Sequence, residues 1–555
     1  MNKPWLAHYP QGVPAELGAI GYRSLADLLD NAFRSFAERD ALHFMGARFS
    51  YARFGALARD FAAYLQTLGL KKGDRIALMM PNVPQYPVAI AGAAMAGLTI
   101  VNVNPLYTPG ELAHQLKDSG ARAIVVLENM AATLAACRDK TDVKHVVVTG
   151  VGDLLPLVKG TIVNLVLKHV KKAVPAYSLP GAVRFNKALS IGRKKQVTKV
   201  DVAPEDIAVL QYTGGTTGVA KGAMLTHRNI VANVLQSQMW NAPALNRLPP
   251  GEQSVTVCAL PIYHIFGFTV NLMLSVRNGG AAILIPNPRD IPALLKAIKP
   301  FRFHSFPAVN TLYNAIALHP DAKTLDWSSL KLAVGGGMAV QATTADRWKK
   351  LTGISICEGY GLSETSPSAC CNATDRSDYT GTIGMPLPST ELAVLDEEGR
   401  ALGPGEVGEI AIRGPQVMAG YWNRPTETAA VMTKDGFFRT GDVGTMSPDG
   451  VFRIVDRKKD MINVSGFNVY PNEIEEVVTR IPGVVEAAAI AVPDEASGEA
   501  VKLFVVRNDE RVGEAEIRRF CHENLTGYKR PRIIEFRDEL PKSAVGKVLR
   551  RELRS

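Results

Sequence analysis

Residues 211–229, QYTGGTTGVAKGAMLTHRN, set four glycines, four threonines and a lysine between apolar flanks. A turn of this composition exposes backbone N–H groups and hydroxyls, the donors that phosphate oxygens require. It is a candidate phosphate cradle, with a plain Gly/Thr turn as the alternative. The G-x-x-x-x-G-K-[ST] pattern of the Walker nucleotide hydrolases does not fit, because Lys221 follows Ala220 and precedes Gly222. No hydroxyl then stands beside the lysine to meet a magnesium ion.

A cradle needs rigid flanks. IAVLQYT, before the loop, reads as a buried strand, and THRNIVANVLQ, after it, as a helix with Thr226 as N-cap and Ile230, Val231, Val234 and Leu235 along one face. The expected order is strand, loop, helix. Through the first 350 residues, apolar runs such as RIALMM, AIVVL, HVVVT, SVTVCAL, AAILI and LKLAVGGG alternate with Ala/Leu-rich helical patterns, which predicts stacked parallel sheets. From Thr382 onward, short strands and Gly-rich turns predict a small antiparallel barrel or sheet. After FRIVDRKKD a fresh pattern begins: NEIEEVVTRI (helix), VVEAAAIAV and VKLFVVR (strands), EAEIRRFCHENL (helix) and IIEFR (strand). The expected fold class is therefore α/β: a large N-terminal domain of stacked parallel-type sheets with a small β-barrel-like subdomain, plus a small mobile α+β C-terminal lid. Its expected limits are 1–456 for the large domain (subdomains near 1–200, 201–380 and 381–456), 457–459 for a hinge and 460–555 for the lid.

The chain of 555 residues is 46% hydrophobic and 21% charged, which excludes disordered, collagen-like and disulfide-stapled classes. Its six cysteines, Cys137, Cys258, Cys357, Cys370, Cys371 and Cys521, form no C-x-x-C pair, so neither a zinc site nor a disulfide framework is expected, and a reducing cytosol fits best. The start, MNKPWLAHYPQG, lacks the basic-then-apolar layout of a secretion signal. Ile76 to Gly110 carries no charge, but five prolines interrupt it, so it is read as strand, helix, strand rather than as a membrane span. The net charge of +10 is concentrated: residues 154–200 contain ten lysines and arginines and no acid. Within them IVNLVLKHVKKAV puts Val163, Val166, Leu167 and Val170 at helical spacing beside a basic cluster, which suits an anionic membrane surface. A solvated basic helix is the alternative. Nucleic acid is not expected as a partner, since only Tyr177 and Phe185 could stack on bases there.

Four further stretches accompany YTGGTTGVAKGA: EGYGLSET (358–365), RTGDVG (439–444), DRKKDMINVSGFNVYPNEIE (456–475) and PKSAVGKVLRREL (541–553). In this order they resemble the motif set of the acyl-adenylate-forming enzymes, most closely the branch of bacterial long-chain fatty acid–CoA ligases. The resemblance covers essentially the whole chain. It implies two half-reactions: a carboxylate attacks the α-phosphorus of ATP to give acyl-AMP and pyrophosphate, and the thiol of coenzyme A then displaces AMP. Neither needs an enzyme nucleophile, so positioning and charge stabilisation supply the rate.

The resemblance also implies roles. Thr213, Gly214, Gly215, Thr216, Thr217, Gly218 and Lys221 hold the β- and γ-phosphates. Glu364 takes Mg2+, with Thr216 as a second metal and catalytic contact. Tyr360, set in Glu358, Gly359, Gly361 and Thr365, stacks on adenine, and Gly335, Gly336 and Gly337 form the other wall. Asp442 and Arg457 bind ribose, and Lys547 is the adenylation lysine. Lys459 falls at the hinge, and Gly466 and Phe467 line the path of the pantetheine arm. His264 lies near the substrate carboxylate.

An amino-acid substrate is disfavoured, because PIYHIFGFTVNLML after VTVCALP offers no carboxylate to pair an ammonium before Asp290. A long acyl chain fits better, with Phe266, Phe268, Val270, Leu272 and Met273 as candidate wall. Two departures from the family pattern stand out: Gly215 where serine is common, and Phe438-Arg439 where Leu-His is usual. The alternatives are a medium-chain or aryl acid–CoA ligase and, in another class, a non-catalytic acyl-nucleotide-binding protein at a membrane. A cytoplasmic protein, peripheral at the inner face of the cytoplasmic membrane through 154–200, is the expected setting, and a homodimer is compatible with it.

Overall fold

The apolar runs form two large sheets whose strands alternate their side chains between different cores. The computed structural model describes residues 3–213, 220–465, 467–495, 497–543 and 546–554. A seven-stranded sheet runs, in spatial order, Val183–Arg184, His145–Thr149, Ala121–Leu127, Arg75–Met79, Thr99–Asn102, Ile207–Thr213, Lys221–Thr226, parallel except at its last pair. A nine-stranded sheet is parallel from Asp40–Phe44 through Ala281–Leu284, Val255–Cys258, Ser305–Ala308 and Leu332–Gly335 to Ile356–Gly361, with antiparallel edges.

Period-two alternation separates the layers. Ile76 and Leu78 point into the core between the two sheets, whereas Ala77 and Met79 face the outer core. On the other sheet Ala282 and Leu284 face inward and Ile283 outward. Between the sheets lie Tyr51–Thr67, Gln85–Met95 and His227–Leu245. Gln85–Met95 is apolar all round because it is buried on every side, which explains why the uncharged stretch around it reads superficially like a membrane segment. No helix among the described residues is long and apolar enough to cross a membrane. All six cysteines are buried thiols.

The two sheets interleave along the chain. Strands Asp40–Phe44 and Ala47–Ser50 join the nine-stranded sheet, and Ile207–Thr213 and Lys221–Thr226 join the seven-stranded one. A division at residue 200 therefore does not follow the sheets. Two smaller sheets complete the chain: an antiparallel one of Glu391–Leu395, Gly408–Arg413, Phe438–Met446 and Phe452–Arg457, and a C-terminal one of Ile462–Val464, Phe467–Val469, Val484–Asp494, Gly498–Arg507 and Ile533–Phe536. The C-terminal sheet packs on Pro471–Val478 and Glu514–Asn524 around its own core of Val469, Ile474, Leu503 and Ile517.

One expectation is corrected near the Gly/Thr loop. Strand Ile207–Thr213 is followed by the antiparallel strand Lys221–Thr226, with Thr213 opposite Lys221, and only then by the helix. KGAMLT lacks the β-branched run that marks a strand. It becomes one through pairing, including bonds between Met224 and the backbone of Ala419 and Gly420. Thr226 is the N-cap as expected, in a capping box with Asn229. The positive end of that helix thus stands a strand's length from the Thr213–Lys221 pair.

Helix Phe185–Gly192 lies so close to Tyr51–Thr67 that a Cβ on Gly192 would collide with the Asp60 carbonyl. Gly192→Ala is expected to lower stability by about 1–3 kcal/mol, read as a lower urea midpoint. Gly110→Ala, which would meet open space, should stay within about 0.5 kcal/mol of the parent.

Candidate active site

Several parallel strands of both large sheets end at one cavity of about 1170 Å³. Thr213 and Asn102 reach it as the last residues of their strands, and Gly336 follows directly on Leu332–Gly335. Such a position, outside the carboxyl ends of parallel strands, is where open α/β sheets bind ligands. The small antiparallel sheet adds Asp442 and Arg457 to the wall, and the C-terminal unit adds Lys547.

Asp442 and Arg457 face each other across adjacent strands, with Nε of Arg457 3.1 Å from the carboxylate. The other carboxylate oxygen accepts the Tyr360 hydroxyl at 2.6 Å. Tyr360 is thereby fixed at its far end while its ring lines the cavity between Gly359 and Gly361. Gly336 lies opposite, where a Cβ would press within 3.0 Å of the Phe266 ring and 3.1 Å of the Gly359 carbonyl. A side chain at Gly336 would therefore crowd this part of the wall.

Glu364 sits in the tight turn Ser363–Thr365 that reverses the chain after Ile356–Gly361. Its carboxylate is buried, burial raises its pKa, and it accepts the Tyr421 hydroxyl at 2.8 Å. Tyr421 also carries the Lys221 ammonium 5.5 Å from its ring centre, while Lys221 ion-pairs with Glu427. Nothing in the pattern around Tyr421 marked it beforehand. Its role of linking Lys221 to Glu364 appears only in three dimensions.

Lys547 enters from the C-terminal unit. Burial, then the neighbouring Arg457, pulls its pKa down to about 7. Its segment is held by a pair of bonds to Ser543, at 3.1 Å to the hydroxyl and 2.7 Å from the amide, and Arg289 of the main body donates to the Ser543 carbonyl at 3.3 Å. His264 lies on the same wall, and burial followed by the Lys547 charge pushes it down to about 4. It is a neutral imidazole at neutral pH. Lys459 also lines the cavity, its pKa lowered by burial and then by Arg457. Arg439 and Glu409 form a paired wall at 2.7 Å, so the unusual arginine is held by a carboxylate.

Among the residues singled out from sequence, Thr213, Lys221, His264, Phe266, Gly336, Gly337, Gly359, Tyr360, Gly361, Glu364, Asp442, Arg457, Lys459 and Lys547 all border this cavity. Gly214, Gly215, Thr216, Thr217, Gly218 and Gly466 lie outside the described residues. Seven others stand back from the wall. Gly335 ends its strand against Val340 and Ile356. Glu358 is buried behind the slot, accepts the Val340 N–H at 3.1 Å and is pushed up to about 8 by burial. The Thr365 hydroxyl accepts the Leu362 N–H at 2.9 Å and so closes the turn that aims Glu364. Phe268 belongs to the inter-sheet core with Leu272 and Met273, because helical spacing puts Phe266 and Val270 on one face and these three away from it. Phe467 is exposed and stacks on Tyr528 at 4.7 Å.

Three comparisons bear on this geometry. Models of the AMP-binding enzyme and of the AMP-binding enzyme C-terminal domain match residues 29–422 and 473–547. The chain is 53% identical to a long-chain-fatty-acid–CoA ligase of Escherichia coli O157:H7 over 555 residues, covering 100% of this chain and 98% of that one. It is 38% identical to the enzyme of the same description from Bacillus subtilis, with the same coverage. Among solved structures, an anthranilate CoA ligase in complex with anthranoyl-AMP superposes with a TM-score of 0.83 at 27% identity, covering 96% of each chain.

Behind Lys547, Arg550 ties the C-terminal unit together. It reaches Glu475 at 2.8 Å, Asn472 at 2.9 Å and Asp460 at 3.4 Å, and although burial disfavours its charge, these carboxylates and Asp456 hold its pKa above the usual value. Arg550→Met leaves buried carboxylates unpaired and is expected to cost about 3–5 kcal/mol. Hydrogen exchange should then quicken across 460–554 while 40–386 keeps its protection.

Proposed function

The chain belongs to the AMP-binding enzyme family, and on that premise we propose that it is an ATP-dependent long-chain fatty acid–CoA ligase that feeds fatty acid degradation and lipid metabolism. The observation that carries this reading is the meeting, on one cavity, of Lys547 from the C-terminal unit with Tyr360, Asp442 and Glu364 from the body, in a chain with that full-length likeness. The substrates are a long-chain fatty acid, ATP and coenzyme A.

In the first half-reaction an acyl carboxylate oxygen attacks the α-phosphorus, the bond to the β-phosphate oxygen breaks, and pyrophosphate leaves. Tyr360 offers its ring to adenine in the slot opposite Gly336, and the Asp442–Arg457 pair takes the ribose hydroxyls. Thr213, Lys221 and the Gly/Thr loop hold the departing phosphates. The Lys547 ammonium, close to neutral His264, meets the negative charge that builds between carboxylate and α-phosphate, where a buried, preoriented cation acts strongly. Glu364, a buried carboxylate facing a polyanion site, fits a hard divalent cation; with Thr216 it would hold Mg2+, which supplies charge neutralisation on the phosphates. The acyl chain runs past Phe266 and Val270.

In the second half-reaction the thiol sulfur attacks the acyl carbon, AMP leaves with the electron pair of the mixed anhydride bond, and the thiol proton goes to solvent. We infer that residues 460–555 act as a lid that turns about 457–459, with Lys459 at the pivot, and that Gly466 and Phe467 then border the pantetheine path. The part before it, 1–456, holds nucleotide and acyl chain. A cytoplasmic setting, contact with an anionic membrane surface through 154–200 and a homodimer are compatible with this activity. Medium-chain or aryl acids are not favoured because the full-length likeness is to long-chain ligases, and a purely binding role is not favoured because Lys547, Glu364, Asp442 and Arg457 all border the cavity.

ATP- and CoA-dependent AMP release over C6–C18 acids and benzoate tests the assignment. Release should peak with long chains, and a preference for benzoate would refute it. Lys547→Ala should slow acyl-AMP formation by roughly 10²–10³-fold while sparing CoA transfer from supplied acyl-AMP. The ammonium form is the active one and predominates below pH about 7 in the free enzyme. kcat/KM for ATP, which reports free-enzyme groups, should therefore fall as pH rises above about 7, and the Lys547→Ala profile should be flat there.

A further inference from the structure

Residues 157–170 present a helix laid on the protein with its apolar face outward. Six of the thirteen exposed large apolar side chains among the described residues fall here: Leu157, Val158, Ile162, Leu165, Val166 and Val170, with Leu157 at 85% and Val170 at 74% exposure. The residues turned inward are Gly160, Val163, Asn164 and Leu167. This refines the face read from sequence, since Val163 and Leu167 are half-buried. A soluble helix normally buries its larger apolar residues and exposes its polar ones; this one does the reverse.

The inward side is built to hold that orientation. Gly160 packs against Gly152 so closely that a Cβ on either would strike the other's backbone. Asn164 is clamped at both ends of its carboxamide, to the Asp153 carboxylate at 2.9 Å and from the Gly152 N–H at 2.8 Å. Lys159 donates to the Met45 carbonyl, which joins the helix to the hairpin of the nine-stranded sheet. Met45, at the tip of that hairpin, is itself exposed and extends the patch.

The charge around the patch is of one sign. Arg184 is spent on Glu128 and Asp153, but Lys168, Lys171 and Lys172 stand exposed at the helix end in a stretch of 47 residues, 154–200, that contains no acid. An outward apolar face beside unopposed lysines is complementary to one kind of surface: acyl chains beneath anionic headgroups.

We propose that the 157–170 helix, with Met45, is the element that seats this protein on an anionic lipid bilayer, apolar face in the acyl boundary and Lys168, Lys171 and Lys172 on the headgroups. It rests on the ligase reading only for its purpose, which is to hold the enzyme where a sparingly soluble acyl substrate resides. The binding itself is independent of catalysis and is measured as such.

Co-flotation of the full chain with phosphatidylglycerol/phosphatidylcholine vesicles should recover the protein, and phosphatidylcholine vesicles alone should recover little. Lys168→Gln with Lys171→Gln and Lys172→Gln should weaken binding on the order of a hundredfold, at roughly fivefold per charge. Ile162→Asp with Leu165→Asp should weaken it at least about tenfold, since exposed side chains are changed and the fold is left alone. Both variants should keep parental AMP release on a short, soluble acid, which separates failure of docking from failure of the ligase assignment. Unchanged flotation of both variants, or no flotation of the parent, would overturn the proposal. So would a parental dimer that the aspartates dissociate, because the face would then belong to a second copy.

Discussion

A lysine ammonium buried beside an arginine is the constraint around which the site is arranged. Burial and Arg457 both work against the charge of Lys547, and the carboxylate of Asp442 opposes them. Asp442 cannot serve the lysine alone, because it is already bound to Arg457 and to the Tyr360 hydroxyl. The free cavity is therefore short of negative charge, and a polyanion supplies what the protein withholds. This is a form of preorganisation: cations are held in place before the ligand arrives, and the ligand's phosphates relieve their mutual repulsion.

The same constraint bears on how the cation is carried. Lys547 stands on the C-terminal unit, which meets the body at several contacts. Arg289 to Ser543 is one, and Gly546 against Thr311 is another. Inside the unit Arg550 binds Glu475 and Asp460, and it also reaches Asp456 of the body at 3.9 Å, so that Lys547 rides on a braced support.

Much of this was legible in the residues. The alternation of apolar runs and helical patterns located the parallel strands, because buried strands read as short Val/Ile/Leu blocks whatever surrounds them. Motif order assembled most of the cavity wall, since each motif ends a strand or fills a turn. What the pattern could not convey was pairing across distance. Lys221–Thr226 is a strand only because Ile207–Thr213 lies beside it, Tyr421 matters only because Glu364 comes to it, and Phe268 turns away from the cavity because its helix has two faces. The outward face of 157–170 belongs to the same class, since periodicity places residues on a common side without saying which side is covered.

The exchange of strands between the two large sheets has a consequence for how the chain comes to be folded. The seven-stranded sheet lacks its closing pair until residue 226 has been made, and Asp40–Phe44 waits for Ala281–Leu284 before it has a parallel neighbour. During synthesis the first two hundred residues thus carry the hairpin of Asp40–Phe44 and Ala47–Ser50 with one edge still open for a sheet that does not yet exist, together with an inter-sheet helix layer covered on one side only. Long-range pairing of this kind is slow and leaves edges open to wrong partners. Apolar surface of the inter-sheet layer accordingly stays open in a nascent chain until residue 284 has emerged.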